Sequence, residues 1–151
     1  MTSTRVVVAD DDSTFRSALV DVLGVDPGIE VVASLSSGAG LVETLARTHA
    51  DVALVDVRMP DGGVHAARSV REACEDGRLH EVAVVAISAQ AATHTVVSLL
   101  REGAVGYLVK GHLGGDLGSL VKRCARGEVV VAGPSGAEAL RTLVRDGHVL
   151  T

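Results

Sequence analysis

The chain has 151 residues, enough for one domain with a buried core and an appended helix, and too few for a second folded module of ordinary size. Its net charge is −5, and after Lys110 five basic side chains face four acidic ones, which excludes a basic nucleic-acid footprint. Hydrophobic residues make up 47% of it, yet Phe15 and Tyr107 are its only aromatics, so the interior must be aliphatic, as in an α/β domain rather than an aromatic-rich β-sandwich.

In chain order, the first apolar run, Arg5–Ala9, meets three acids at Asp10, Asp11 and Asp12, a pattern that no signal peptide shows. No later apolar stretch reaches the roughly 18 residues of a membrane span, so a soluble, cytoplasmic protein is expected. Further β-branched runs follow at Glu30–Ser34, Val52–Val55, Val82–Ile87 and Val105–Val109. Unbroken Val/Ile runs suit parallel strands buried on both faces. Between them, helical spacing predicts helices over Ser13–Leu23, Gly38–Thr48, Val64–Glu75, Ala91–Glu102 and Leu117–Arg126. The first should bury Phe15, Leu19, Val22 and Leu23 along one stripe, with Asp12 or Ser13 as its cap. Past the fifth helix, GEVVVAGPSG reads as a connector and Ala137–Val144 as a short amphipathic helix. Cys74 and Cys124 fall in predicted helices, belong to no CxxC pair, and are expected as buried or half-buried free thiols.

Strict strand–helix alternation implies right-handed crossovers and a doubly wound parallel sheet. In such sheets the functional edge lies beyond the carboxyl ends of the strands. Polar residues break the apolar runs there: Asp10, Asp11 and Asp12 after the first strand, Asp56 after the third, Ser88 after the fourth and Lys110 after the fifth. Crowded carboxylates repel one another unless a cation sits among them, and oxygen-rich ligation with room for water and phosphate suits Mg²⁺. One carboxylate could then attack a phosphoryl donor while the metal and a lysine neutralise the developing charge. Asp56, alone at its strand end, is the candidate nucleophile. Lys110 and Ser88 would contact the phosphoryl oxygens.

The segments VVVADDDSTFR, LVDVRMPDGG, VVAISA and GAVGYLVKG, in this order and at these strand ends, resemble the signatures of the CheY-like response-regulator receiver family over about residues 5–127. The resemblance implies a flavodoxin-like (βα)5 fold, a five-stranded parallel sheet of order 2-1-3-4-5 with an extra C-terminal helix. It divides the chain into a receiver at 1–127 and a linker or extra helix at 128–151, with the output domain absent. It implies Mg²⁺ held by Asp10, Asp11, Asp56 and the backbone carbonyl of Arg58, with Asp11 the direct ligand and Asp10 acting largely through water. Asp56, Lys110 and Ser88 would carry the phosphoryl chemistry, and Ser88 and Tyr107 the switch. Phosphorylation would draw Ser88 inward and let Tyr107 rotate into the space, remodelling the face of helix 4, strand 5 and helix 5. The implied partners are a sensor histidine kinase and a second copy across that face, with DNA reached only through an output domain. The chain would catalyse nothing beyond its own phosphotransfer and autodephosphorylation.

Two features depart from the family pattern. The DGGV turn before His65 is shorter than usual, which predicts altered geometry after Asp56. Gly111 follows Lys110 where many receivers have proline, so no cis peptide bond is expected there. The missing proline, GAVGYLVKG and RGEVVVAGPS together are similar to NarL-type regulators, which carry a helix-turn-helix output domain and control transcription. Asp12 is the extra acid, read as a helix cap. Arg58 and Gln90 would flank the acyl phosphate, and the six histidines lack metal-ligand spacing. A competing reading takes Asp10, Asp12 and Thr14 as the D-x-D-x-T motif of haloacid-dehalogenase-like phosphatases, with Asp10 the nucleophile and Asp12 the acid/base. A third makes the chain a docking module that is never phosphorylated.

Overall fold

The computed structural model describes residues 3–89 and 91–146. Strands and helices alternate as β1 (Thr4–Ala9), α1 (Ser13–Gly24), β2 (Ile29–Leu35), α2 (Leu41–Thr48), β3 (Val52–Asp56), α3 (Gly63–Glu75), β4 (Ala83–Ser88), α4 (Thr93–Arg101), β5 (Gly106–Val109), α5 (Leu117–Ala125), β6 (Val130–Val131) and α6 (Gly133–Arg145), with a 3-10 turn at Lys110–His112. The sheet order is β2-β1-β3-β4-β5-β6, and every pairing is parallel. The expected five-strand core is present in the expected order, and a sixth strand extends it.

The sixth strand lies within 128–151, ahead of the extra helix expected there. Val130 N–H donates to Val105 O and Ala132 N–H to Tyr107 O, each at 2.9 Å, so two residues of the apparent connector complete a ladder rung on β5. α6 begins at Gly133, four residues before the amphipathic stretch, with Pro134 in its first turn, where a missing N–H is harmless.

Alternation along the strands sends side chains to opposite faces. Val6, Val8, Val52, Leu54, Val85 and Ile87 pack under Leu19 and Leu23 of α1 and Leu117 and Val121 of α5. Val7, Ala9, Ala53, Val55, Val84 and Ala86 face the opposite side, in one cluster with buried residues of α2, α3, α4 and α6. All five residues of β3 are buried, which is why it reads as a continuous apolar run ending in an acid. Val22 does not join the expected α1 stripe; it is 47% exposed, while Leu19 and Leu23 carry the packing.

α6 packs on α4, with Ala139 and Leu143 fully covered and Arg101 of α4 reaching Asp146 at 3.4 Å. The α4–β5 part of the face expected to pair with a second copy is therefore occupied by the chain's own C-terminal helix and strand. Cys124 is buried and Cys74 half-buried, both as free thiols. His49, His65, His80 and His94 are exposed. Gln90, His148 and the side chain of His112 lie outside the described residues.

Candidate functional site

The site forms where β1, β3, β4 and β5 end together. Asp10 follows β1 and is held from several sides. Its N–H donates to Leu35 O at 3.0 Å, its Oδ1 accepts from Asp12 N–H at 2.9 Å, and its carbonyl accepts from the Arg16 guanidinium. These bonds curl the β1–α1 loop into a turn that leaves Asp10 buried and Asp11 exposed. Asp56 ends β3 at 5% exposure, and Arg58 N–H approaches its Oδ1 at 3.4 Å. Ser88 ends β4 fully buried, and its Oγ has no hydrogen-bond partner among the described residues.

Lys110, just past β5, brings its ammonium 2.8 Å from Asp10 Oδ2 and 3.7 Å from Asp56 Oδ2. Its side chain is 17% exposed, so this cation sits in a low-dielectric rim where attraction is stronger than in bulk water. Burial pushes the Asp56 carboxyl above its ordinary range, and the Asp10 charge pushes the same way, while Lys110 and the Arg58 N–H oppose them.

Carboxylate oxygens of Asp10, Asp11 and Asp56 lie within 4.8 Å of one another. An all-oxygen donor set of this spacing, partly open to water, fits a hard divalent cation such as Mg²⁺ and would relieve the crowding around Asp56. The structure thus brings the predicted residues Asp10, Asp11, Asp56, Ser88 and Lys110 to one edge, with Arg58 two residues beyond Asp56.

The loop after Asp56 turns on two residues of left-handed backbone. Asp61 and Gly63 both adopt left-handed backbone, with φ of 55° and 54°. A Cβ on Gly63 would stand 2.6 Å from Val57 O, so only glycine fits there. Gly38, from the β2–α2 loop, presses on the Asp61 backbone and donates its N–H to Pro60 O at 2.9 Å, bracing the loop from the other side. None of the described peptide bonds is cis, as the glycine after Lys110 implied.

Tyr107 stands differently from the expectation. Its ring is already inward, 1% exposed, and its hydroxyl accepts from Ala91 N–H at 3.1 Å. Ala132 and Gly133 at the start of α6 line a cavity of about 270 Å³ beside it, together with Ala89 and Val109. A buried hydroxyl with a backbone partner and a ring covered by the β6–α6 unit has no reason to face solvent.

Two site neighbours went unread in the sequence. Arg16 looks like an ordinary helix-surface arginine, and only the fold returns it to the Asp10 carbonyl. Phe15 reads as core, but its ring centroid lies 4.3 Å from Lys110 Nζ. Its spacing, three residues after the capping acid Asp12, was the one available signal. Asp12 itself caps α1, accepting from Phe15 N–H at 3.1 Å.

A six-stranded parallel sheet with helices on both faces, carrying acids opposed by a lysine at its carboxyl edge, defines a doubly wound α/β domain of the receiver class. Residues 6–122 match the response regulator receiver domain, and the chain belongs to that family. It is 30% identical over 142 residues to the DNA-binding transcriptional activator DevR/DosR of Mycobacterium tuberculosis, a match covering 92% of this chain and 62% of the relative. It is 36% identical over 129 residues to the transcriptional regulatory protein NarL of the same species, covering 85% of this chain and 57% of the relative. The solved signal receiver domain of that NarL aligns with a TM-score of 0.76 at 32% identity, covering 85% of this chain and 100% of the other. The chain spans about six-tenths of the length of these curated relatives. It is a receiver domain of two-component systems, homologous to the transcriptional regulators DevR/DosR and NarL. The dehalogenase-like reading falls with this match, and Asp12, its acid/base, is engaged as a helix cap.

Proposed function

We propose that Asp56 is the phosphoacceptor and that a sensor histidine kinase is the donor. The observation that carries this reading is the Lys110 ammonium bridging Asp10 and Asp56, while the buried Ser88 hydroxyl at the end of β4 has no partner among the described residues. An Asp56 oxygen attacks phosphorus in line with the donor's P–N bond, which breaks with its electron pair leaving on the kinase imidazole, and a mixed anhydride results. Lys110 meets one phosphoryl oxygen and Ser88 donates to another, which ends the isolation of its hydroxyl. Asp10, Asp11, Asp56 and the Arg58 carbonyl would hold Mg²⁺, which would supply positive charge for the phosphoryl chemistry. The chain's own chemistry ends with this self-directed transfer and the later hydrolysis of the anhydride, which Arg58 would flank.

Residues 1–127 act as the receiver, and 128–151 lead toward an output module of the helix-turn-helix kind through which DNA would be reached. Tyr107 and Ser88 form the switch. Since Tyr107 already lies inward under α6, phosphorylation acts by stabilising that arrangement, and the signal leaves through α4, β5 and the β6–α6 unit packed on them. A second copy pairing across the α4–β5–α5 face has to dock on α6 or displace it. No helix of the described residues is long and apolar enough to cross a membrane, and a cytoplasmic setting suits both the kinase partner and the free thiols.

The test is incubation with acetyl phosphate and Mg²⁺, followed by intact-mass measurement. One phosphoryl adduct on the wild type, lost in Asp56→Asn, supports the reading. An adduct that survives Asp56→Asn and disappears in Asp10→Asn refutes it.

A further inference from the structure

The phosphoacceptor reading gives no part to Asp12, the cap of α1, or to Phe15 in its first turn. Both bear on Lys110. Asp12 Oδ1 accepts the Phe15 N–H at 3.1 Å, which pins the first turn of α1 and with it the ring. The ring centroid then stands 4.3 Å from Lys110 Nζ, well inside the range of a cation–π contact. Resting on that reading, we infer that Phe15 is a positioning residue for Lys110, a platform that keeps the ammonium at the phosphoryl site.

The argument turns on what else holds the lysine. Its nearest partner is Asp10 at 2.8 Å, with Asp56 farther off at 3.7 Å. Asp10 is also a candidate metal ligand. When that carboxylate turns to a divalent cation, the ammonium loses its shortest contact just as it is needed over the phosphoryl group. The π-face of Phe15 attracts the ammonium without drawing on any carboxylate oxygen, so this hold persists whichever charge Asp10 serves. Phe15 is half-buried against the α1–α5 layer, lining an apolar cavity of about 320 Å³ with Leu19, Lys110 and Leu117. A leucine could fill most of the same space. Only the ring's quadrupole would be missing, which separates positioning from packing.

Transfer from acetyl phosphate forms a bond between an Asp56 oxygen and phosphorus and breaks the donor's bond between phosphorus and the acyl oxygen. The electron pair departs with acetate. Adduct growth at Asp56 under Mg²⁺ is followed by intact mass for wild type, Phe15→Leu, Phe15→Tyr and Phe15→Trp. In the metal-free protein the ring-current shift of the Lys110 Hε protons is read by NMR, and each variant's melting temperature is recorded. For a partly exposed cation–π pair, Phe15→Leu should be about two- to fivefold slower and lose the upfield shift, with little change in melting. Phe15→Tyr or Phe15→Trp should restore both.

Equal rates for wild type and Phe15→Leu, an aromatic replacement as slow as leucine, or an unshifted Lys110 in the wild type each overturn the inference and leave the phosphoacceptor reading intact. A wild type that gains no adduct at all removes that reading, and the role of Phe15 with it.

Discussion

Ser88→Ala should raise the stability of the resting domain while weakening its phosphorylated form. The Ser88 hydroxyl is fully buried at the end of β4 with no partner among the described residues. Leaving a hydroxyl buried and unsatisfied costs about 1–3 kcal/mol, and deleting one oxygen opens little space, so the net gain should be about 1 kcal/mol. In a domain of this size that corresponds to a rise of roughly 2–4 °C in melting temperature. With a phosphoryl mimic at Asp56 the same substitution removes a hydrogen bond to a charged group, worth about 1.5–3 kcal/mol, or roughly a tenfold to hundredfold loss of affinity. Thermal melts of wild type and Ser88→Ala, without ligand and then across a beryllofluoride titration in Mg²⁺, measure both. A resting variant that melts below the wild type, or an unchanged beryllofluoride affinity, would show that the hydroxyl is not held in reserve for a phosphoryl oxygen.

Three other perturbations have definite outcomes. Because the folded Asp56 carboxyl is raised above its unfolded value, the metal-free domain should gain stability as pH falls from neutrality through the folded pKa toward the ordinary carboxylate range; chemical denaturation against pH should find this gain reduced in Asp56→Asn. Gly106→Ala would set a Cβ 2.9 Å from Val85 Cγ1 and 3.2 Å from Cys124 Sγ in a buried strand, so urea titration should show a loss of about 1–3 kcal/mol. Leu143→Ala removes a fully buried α6 side chain from the cluster shared with α4 and should cost about 2–5 kcal/mol in one cooperative transition; a change under about 0.5 kcal/mol would mean that α6 is not part of the folded unit.

What the sequence made legible was set by chain-local signals. β3 is an unbroken apolar run ending in Asp56 because a central parallel strand is covered on both faces, and the same logic marks Asp10, Ser88 and Lys110 as strand-end residues. β6 has only two residues, too few for a period, and exists because Val105 O, just ahead of β5, and Tyr107 O within it accept its bonds. Phe15 illustrates the opposite difficulty. Its apolar character and helical spacing are those of any core residue, and its distinctive contact is with a lysine that only the fold brings near. The inward Tyr107 likewise depends on Ala91 N–H and on β6 and α6, none of which its own neighbourhood in sequence announces.

These placements suggest where the switching energy resides. Among the described residues Ser88 Oγ has no hydrogen-bond partner, and burial and the Asp10 charge push the Asp56 carboxyl above its ordinary range. Each is a local destabilisation that a phosphoryl group and its cation would remove, and an unsatisfied buried hydroxyl alone is worth about 1–3 kcal/mol. A bias of that size shifts a two-state equilibrium by roughly a factor of five to over a hundred, provided the two states differ at Ser88. Ser88 pairs directly with Val109 across β4 and β5, and Tyr107, two residues back on β5, sets the position of Ala132 at the start of α6. On the proposed function, a movement of Ser88 toward the phosphoryl group would pass along this ladder to the root of the C-terminal helix.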